Sequence, residues 1–321
     1  MDIAVFSPQE LPLVLGALMT VAAKPEALVP QEYQFLQVIN QMHQSFVAVD
    51  DLRQIAPKQI AEIIADSQKR KRLLQMAMVM AMVDGEIKPH QQKILRSLAE
   101  AFCIDEQGLR NLYKAANGHK LLVRVDMMRR LTGKFVATAD WQEGVTGIKK
   151  TISPLFFNGG EDFEMAWRYR QLGLLPKGTL GRAYWEHCVQ RHFSFPGENA
   201  GIPERMVFHD FGHVLSGYDT DPLGEIQQGA FQAGFIREDG FVFLLFALLH
   251  FHLGIQMTPV ADTCVGLFDI SLVILALQRG AACKVDFSNN WNFWEVVEVP
   301  VGDLRDRYGI PPVTLLHFRK R

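Results

Sequence analysis

The stretch VFHDFGHVLSGYDTDPLGE, residues 207–225, decides how this chain is read. Its first half spaces His209 and His213 four apart, and Phe208, Phe211, Val214 and Leu215 give it a partly apolar helical pattern. On a helix, positions i and i+4 share a face, so both imidazoles can converge on one ion while Asp210 sits a step round the same turn. Gly217, Pro222 and Gly224 then break the helix and let the chain turn back, so that Glu225, at the head of the next apolar segment, can supply a further ligand. Two histidines with one or two carboxylates suit zinc, and also ferrous iron or manganese. The bland alternative is a pair of polar residues on a solvated helix face. Against it, a buried His/Asp/His cluster without an ion leaves costly unpaired polar groups. The word differs from the zinc-protease HExxH in having Asp210, one methylene shorter than the glutamate that acts as base there.

Outward from this stretch, helical periodicity dominates and few alternating runs appear, so the expected fold is all-α, with short extended pieces near residues 296–300. The run FVFLLFALLHFHLGI, residues 241–255, is apolar almost all round, yet it is shorter than the about 20 residues a bilayer span needs and is interrupted by His250 and His252. The run VGLFDISLVILALQ, residues 265–278, carries Asp269. Both are expected to be core helices, and long apolar helices of this kind favour a homodimer or a peripheral membrane contact.

The chain has 321 residues, room for about two domains with cores of their own. Its net charge of −2 argues against a nucleic-acid partner. Cys103, Cys188, Cys264 and Cys283 are widely spaced without a CxxC pair and read as reduced core thiols. The start, Met-Asp-Ile-Ala, has no basic region before an apolar stretch, so no secretory signal is expected and the expected location is cytoplasmic. There is no Walker loop, Rossmann fingerprint or GxSxG elbow.

The N-terminal part repeats. Residues 17–43 align with residues 76–102 at a period of about 59, matching Leu18 with Ala77, Val21 with Met80, Leu28 with Ile87, Pro30 with Pro89 and Leu36 with Leu95. Between the copies, residues 52–75 are strongly helical in pattern, with Pro57 at a helix start. The segment AMVDGEIKPHQQKIL, residues 81–95, resembles the tellurite-resistance TerB-like helical domain. In that family the Asp-Gly-Glu loop has been considered for metal binding. Here only the second copy keeps it, as Asp84, Gly85 and Glu86, while the first has Lys24, Pro25 and Glu26. Turn chemistry alone accounts for these residues. An interaction module is therefore expected over residues 1–118, with Asn117-Gly118 as the boundary turn. Just beyond it, Lys120, Arg124, Arg129, Arg130 and Lys134 make residues 115–135 basic, either a solvated helix face or one turned to anionic lipid.

Three ordered blocks carry a second resemblance. The arrangement His209-Asp210-x-x-His213, eleven further residues and Glu225 looks like the metal motif of the coenzyme Q biosynthesis protein Coq-four family. LLPKGTLGRAYWEHC, residues 174–188, resembles that family's Leu-Pro-x-Gly-Thr-Leu-Gly-Arg-x-Tyr block, and WEVVEVPVGDLRDRYGIPP, residues 294–312, resembles its closing pattern. Where members carry Arg-Tyr-Arg just before the motif, this chain has residues 203–207, PERMV, and a comparable run, Arg168-Tyr169-Arg170, lies earlier. The similarity spans residues 121–321 and implies a metal- and lipid-binding domain over 119–321. It implies a divalent ion, zinc, iron or manganese, held by His209, Asp210, His213 and Glu225, with Asp210 and Glu225 in catalytic roles. It implies a substrate with a polar aromatic head and a polyprenyl tail, other quinone-biosynthesis proteins as partners, and contact with the inner face of the cell membrane. The implied reaction is removal of the ring carboxylate from a polyprenylated hydroxybenzoate, with hydroxylation of the same carbon in oxidative accounts. Lys177, Arg182 and Tyr184 are candidates to meet the head group. Two rival classes stand beside this reading: a non-catalytic scaffold that presents lipid precursors, and an HD-type metal-dependent hydrolase. The latter needs an upstream histidine and a distant aspartate, for which His187, His192, Asp262 and Asp269 lack matching spacing.

Overall fold

The computed structural model describes residues 1–22, 28–45, 47–137, 161–258 and 261–313, with the backbone alone for residues 128 and 132–137. Among them there are fourteen α-helices and no strand, only two isolated bridges, Thr179 with Pro300 and Leu253 with Val265. The all-α expectation holds, and the extended piece expected near residues 296–300 is reduced to the bridge at Pro300.

The first helices repeat as the sequence does. Helix α1 (Leu11–Ala22) and α4 (Ser67–Met80) are the inner pair, and α2 (Pro30–Met42) and α5 (Pro89–Phe102) each begin with proline at the first position, where its missing N–H is no loss. Each of those starts is closed alike: Glu32 accepts from the Val29 amide at 3.0 Å and Gln91 from the Lys88 amide at 2.9 Å. The two equivalent side chains, 59 positions apart, meet, Gln91 Nε2 donating to Glu32 at 3.3 Å. Helix α3 (Pro57–Ile63) lies between the copies, and α6 (Gln107–Ala116) and α7 (Lys120–Ala137) follow. Gly85 takes the left-handed conformation (φ +84°) and Lys88 pairs with Asp84, as a turn requires. Residues 24–26 of the first copy, like Lys134 as a side chain, Trp141 and His317, lie outside the described residues.

The remaining helices are α8 (Phe163–Gln171), α9 (Leu180–Arg191), α10 (Phe208–Ser216), α11 (Pro222–Phe235), α12 (Phe241–Phe251), α13 (Ile270–Ala282) and α14 (Val301–Tyr308). Both apolar runs are core helices, α12 and α13, and among the described residues no helix is long and apolar enough to cross a membrane. Asp269 is not an intrusion into the second run but its N-cap, accepting from the Leu272 amide at 3.0 Å, so Val265 and Leu267 fall before the helix and are exposed. Helices α11 and α13 touch backbone to backbone: a Cβ on Gly280 would lie 2.0 Å from the Phe231 carbonyl oxygen, and one on Gly234 2.4 Å from that of Leu277. That close approach fixes α11, the helix that carries Glu225.

The first seven helices pack on the rest without a gap in the buried core. His252 Nε2 bonds the Met82 carbonyl at 2.8 Å, and Arg130 makes a two-pronged pair with Asp239 at 2.9 and 3.0 Å. Arg130 thus leaves the solvated basic face on which the sequence put it. His250 and His252 are hydrogen-bonded core histidines, as expected. His43 and His90 are half-buried, and Cys103, expected in the core, is exposed at the left-handed end of α5.

Candidate metal centre

Helix α10 presents His209 and His213 from one face because its other face is held by aromatic packing. Phe211 stacks on Tyr184 at 4.4 Å and contacts Phe293 at 4.7 Å, while Phe208 meets Phe243 edge-on at 6.1 Å. Gly217 ends the helix in the left-handed conformation, φ +79°. The chain then re-enters a helix at Asp221, whose side chain accepts from the Gly224 amide at 2.7 Å, with Pro222 at the first position. Glu225 therefore stands in the first turn of α11, facing back onto α10.

The three donors close a small triangle. His209 Nε2 and His213 Nε2 are 3.3 Å apart, and they stand 3.4 Å from Glu225 Oε2 and Oε1 respectively. Bonds of about 2.0–2.1 Å at tetrahedral angles separate neighbouring donors by about 3.3–3.4 Å. The two 3.4 Å distances run to different oxygens of Glu225, and one of those oxygens with the two nitrogens, all within 4.8 Å of one another, can take three corners of such a site and leave the fourth to another ligand. Each imidazole is aimed by its other nitrogen: His209 Nδ1 lies 3.1 Å from Gln232 Oε1 and His213 Nδ1 3.1 Å from the Tyr218 carbonyl oxygen. Both Nδ1 atoms are thereby assigned as donors, which turns the Nε2 lone pairs inward.

Electrostatics tie the triangle together. Burial presses the His209 pKa down, but the Glu225 carboxylate, helped by Asp210 and Gln232, outweighs it and lifts it to about 9. Burial works against the Glu225 carboxylate, and the two imidazoles nonetheless hold it well below the usual carboxylate range. Without an ion, a proton on His209 does the ion's work.

Asp210 does not join. Among the described residues only His209, His213 and Glu225 bring donor atoms within 4.8 Å of one another. Asp210 is lifted in pKa by burial, and its charge acts both on His209, His213 and Glu225 and on Tyr184, Cys188 and Tyr169. Cys188 itself is pushed up to about 12, first by burial and then by Asp210. Lys177 is exposed in the turn before α9, and Tyr184 is buried against Phe211. Arg182 is held by Glu186 at 2.8 Å, by the Gly173 carbonyl and by Trp185, whose ring centre is 4.8 Å away.

His187 is the residue that spacing did not reveal. Its ring lies 5.7 Å from that of His213, its Nε2 is buried without a partner, and burial, then the charges of His213 and Arg191, take its pKa down to about 3. The available signal was the buried i, i+3, i+4 face of α9 formed by Tyr184, His187 and Cys188. With Gln190, Arg191, His213, Tyr218 and Asp219 it lines a cavity of about 300 Å³ beside the triangle. Of the other residues an HD-type arrangement would use, Asp269 caps α13 and Asp262 is exposed, and neither joins the donors.

The Arg-Tyr-Arg run on α8 and the residues before the motif meet below the centre. Tyr169 donates to Glu204 at 3.0 Å, Trp294 Nε1 donates to the same carboxylate at 3.2 Å, and Arg168 covers the Trp294 ring at 4.3 Å. Arg170 is paired with Glu198 at 2.6 Å.

No protein-family model matches this chain, and no curated protein matches it. Among solved structures it is similar to the crystal structure of a proposed ubiquinone biosynthesis protein from Nostoc punctiforme, at 15% identity and a TM-score of 0.31, over 76% of this chain and 98% of that one. An overlap of that extent leaves the functional reading to the residues of the chain itself.

Proposed function

We propose that His209, His213 and Glu225 hold one divalent ion, zinc before iron or manganese, in an open three-ligand site, and that the protein acts on a polyprenylated aromatic acid in quinone biosynthesis. The observation that carries the metal reading is the gathering of the two Nε2 atoms, 3.3 Å apart, against the two oxygens of Glu225, each 3.4 Å from one of them, with each imidazole oriented through its Nδ1. The substrate class rests on the three blocks that resemble the coenzyme Q family, residues 174–188, 207–225 and 294–312. A bound ion supplies Lewis acidity toward a carboxylate or phenolic oxygen. The chain's own part is to orient: Gln232 and the Tyr218 carbonyl fix the imidazoles, and Asp210 stands behind them as a buried carboxyl group. His187 and the cavity beside His213 offer the polar head a place next to the open corner. Residues 1–118 act as an interaction module in this reading.

A second reading, a lipid-presenting scaffold docked peripherally on the inner face of the membrane, is favoured by α7. Its inner face is filled by Val123, Met127 and Leu131, yet Leu121, Leu122 and Val125 are exposed beside Lys120 and Arg129. One experiment separates the two: the zinc-loaded protein is incubated with a prenylated hydroxybenzoate, and products are read by mass spectrometry against Glu225→Ala. Loss of the ring carboxylate with wild type alone supports catalysis. Recovery of the lipid intact and protein-bound supports the scaffold and overturns the enzyme.

A further inference from the structure

The closing segment, residues 297–311, is sequence-distant from the donor triangle and touches it at no ligand, yet its contacts converge there. A helix leaves its last four carbonyls without partners inside the helix, and its C-terminal end carries partial negative charge. In α10 all four are accounted for. The His213 carbonyl accepts from the Gly217 amide at 2.8 Å. Arg305 on α14 donates through Nη2 to the Val214 carbonyl at 3.0 Å and through Nε to that of Leu215 at 2.8 Å. Arg279, in the last turn of α13 and only 1% exposed, donates to the Ser216 carbonyl at 2.9 Å and through Nε to the Pro311 carbonyl at 2.8 Å. Its guanidinium also lies 4.9 Å from the ring centre of Tyr218, the residue whose carbonyl oxygen aims His213.

The same segment holds the start of α9. The Leu180 amide donates to the Val299 carbonyl at 2.9 Å, the Gly181 amide to that of Val297 at 2.8 Å, and the Val301 amide to that of Gly178 at 2.9 Å. The three blocks singled out in the sequence are thus one hydrogen-bonded unit, the closing segment holding both the start of α9, the helix of His187, and the end of α10, the helix of His213.

We propose that Arg305 and Arg279 are positioning residues of the metal centre: they lock the last turn of α10 and the 217–218 turn, and so hold His213 Nε2 at the corner where an ion needs it. This rests on the metal reading of the triangle. A guanidinium is required at 305 because its fork reaches two carbonyls at once, which an ammonium cannot do in a fixed geometry. Leu304 and Ile310, both buried, and Gly309, left-handed at φ +68°, serve to set α14 so that Arg305 faces α10.

The test measures zinc affinity by competition with a chelator, and the cobalt(II) absorption spectrum, for wild type, Arg305→Lys, Arg305→Met and, as a control on the exposed side of the same helix, Arg307→Met. Loss of an orienting outer partner of a metal ligand costs about 10–100-fold in affinity. Arg305→Met should show a loss in that range with an altered cobalt spectrum, Arg305→Lys a smaller loss, and Arg307→Met none. Arg305→Lys keeps the charge and guards against a variant that fails to fold, and the thermal midpoint of each metal-free protein is recorded alongside. A midpoint lowered in the Arg305 variants with zinc affinity and spectrum unchanged would show a merely structural role and overturn the proposal. A wild type that takes up no zinc would overturn the metal reading itself, and the clamp with it.

Discussion

Gly212 lies between the two histidines, and the replacement Gly212→Ala tests how tightly α10 and α11 must approach. A Cβ there would lie 2.1 Å from Gln228 Nε2 and 3.3 Å from its Cδ, so the amide must recede by roughly 1.4 Å to reach ordinary contact at about 3.5 Å. Gln228 is fully buried on α11 and committed at both ends, donating to the His209 carbonyl at 3.3 Å and accepting from Ser216 Oγ at 2.9 Å. Displacing it breaks both bonds in a place water does not reach, at a cost of about 1–3 kcal/mol for each bond lost, so about 2–6 kcal/mol in all. The alternative, parting the helices by the same distance, exceeds the roughly 0.2 Å tolerance of metal–ligand bonds and opens the donor triangle. Urea unfolding of the metal-free protein gives the stability term, and a zinc titration the second. The decisive comparison is with Gln228→Ala, which removes the atom that the new methyl group meets. In that background Gly212→Ala should be close to neutral, or stabilising by up to about 1 kcal/mol from helix propensity. An equal cost in both backgrounds would refute the close approach as the cause.

Three further outcomes follow from the same geometry. Gly280→Ala sets a methyl group against the Phe231 carbonyl oxygen, at 2.0 Å, and because backbone cannot rotate aside the loss should reach about 3 kcal/mol or more by chemical unfolding; a loss below about 1 kcal/mol would contradict the α11–α13 contact. Zinc must displace the proton that His209 holds up to about pH 9, so affinity should rise about tenfold per pH unit from pH 6 toward 9 and level off above; a flat profile by competition titration would contradict the proton-bridged triangle. Gln232→Leu removes the acceptor at His209 Nδ1 and should weaken zinc binding about 10–100-fold without changing the helical content; unchanged affinity would remove Gln232 from the site.

The sequence made the helices legible where local chemistry writes them, with proline at the first position of α3 and glycine at the end of α10, whereas the caps Asp221 and Asp269 show only once the helix starts are seen. The donor triangle was legible for a similar reason, since His209 and His213 share a face by spacing alone and the breakers before Glu225 return the chain. Asp210 is not among the donors that gather within 4.8 Å, since position i+1 lies about 100° round the helix and adjacency in sequence does not by itself bring its carboxylate to the Nε2 atoms. Of the head-group candidates, Lys177 is exposed, Arg182 is paired with Glu186 and Tyr184 is buried among aromatic rings. His187, Gln232, Arg279 and Arg305 were not legible as parts of a site. Each acts across a helix contact between segments far apart in sequence, and no local pattern encodes that meeting.

The central claim is that the chain is built around one ion at His209, His213 and Glu225. Elemental analysis of the purified protein, with Glu225→Ala, His213→Ala and the remote His90→Ala beside it, tests that most directly. The account predicts one divalent ion per chain in wild type and in His90→Ala, and its loss in the other two. Equal metal content in all four proteins, or none in wild type after zinc is supplied, would contradict it.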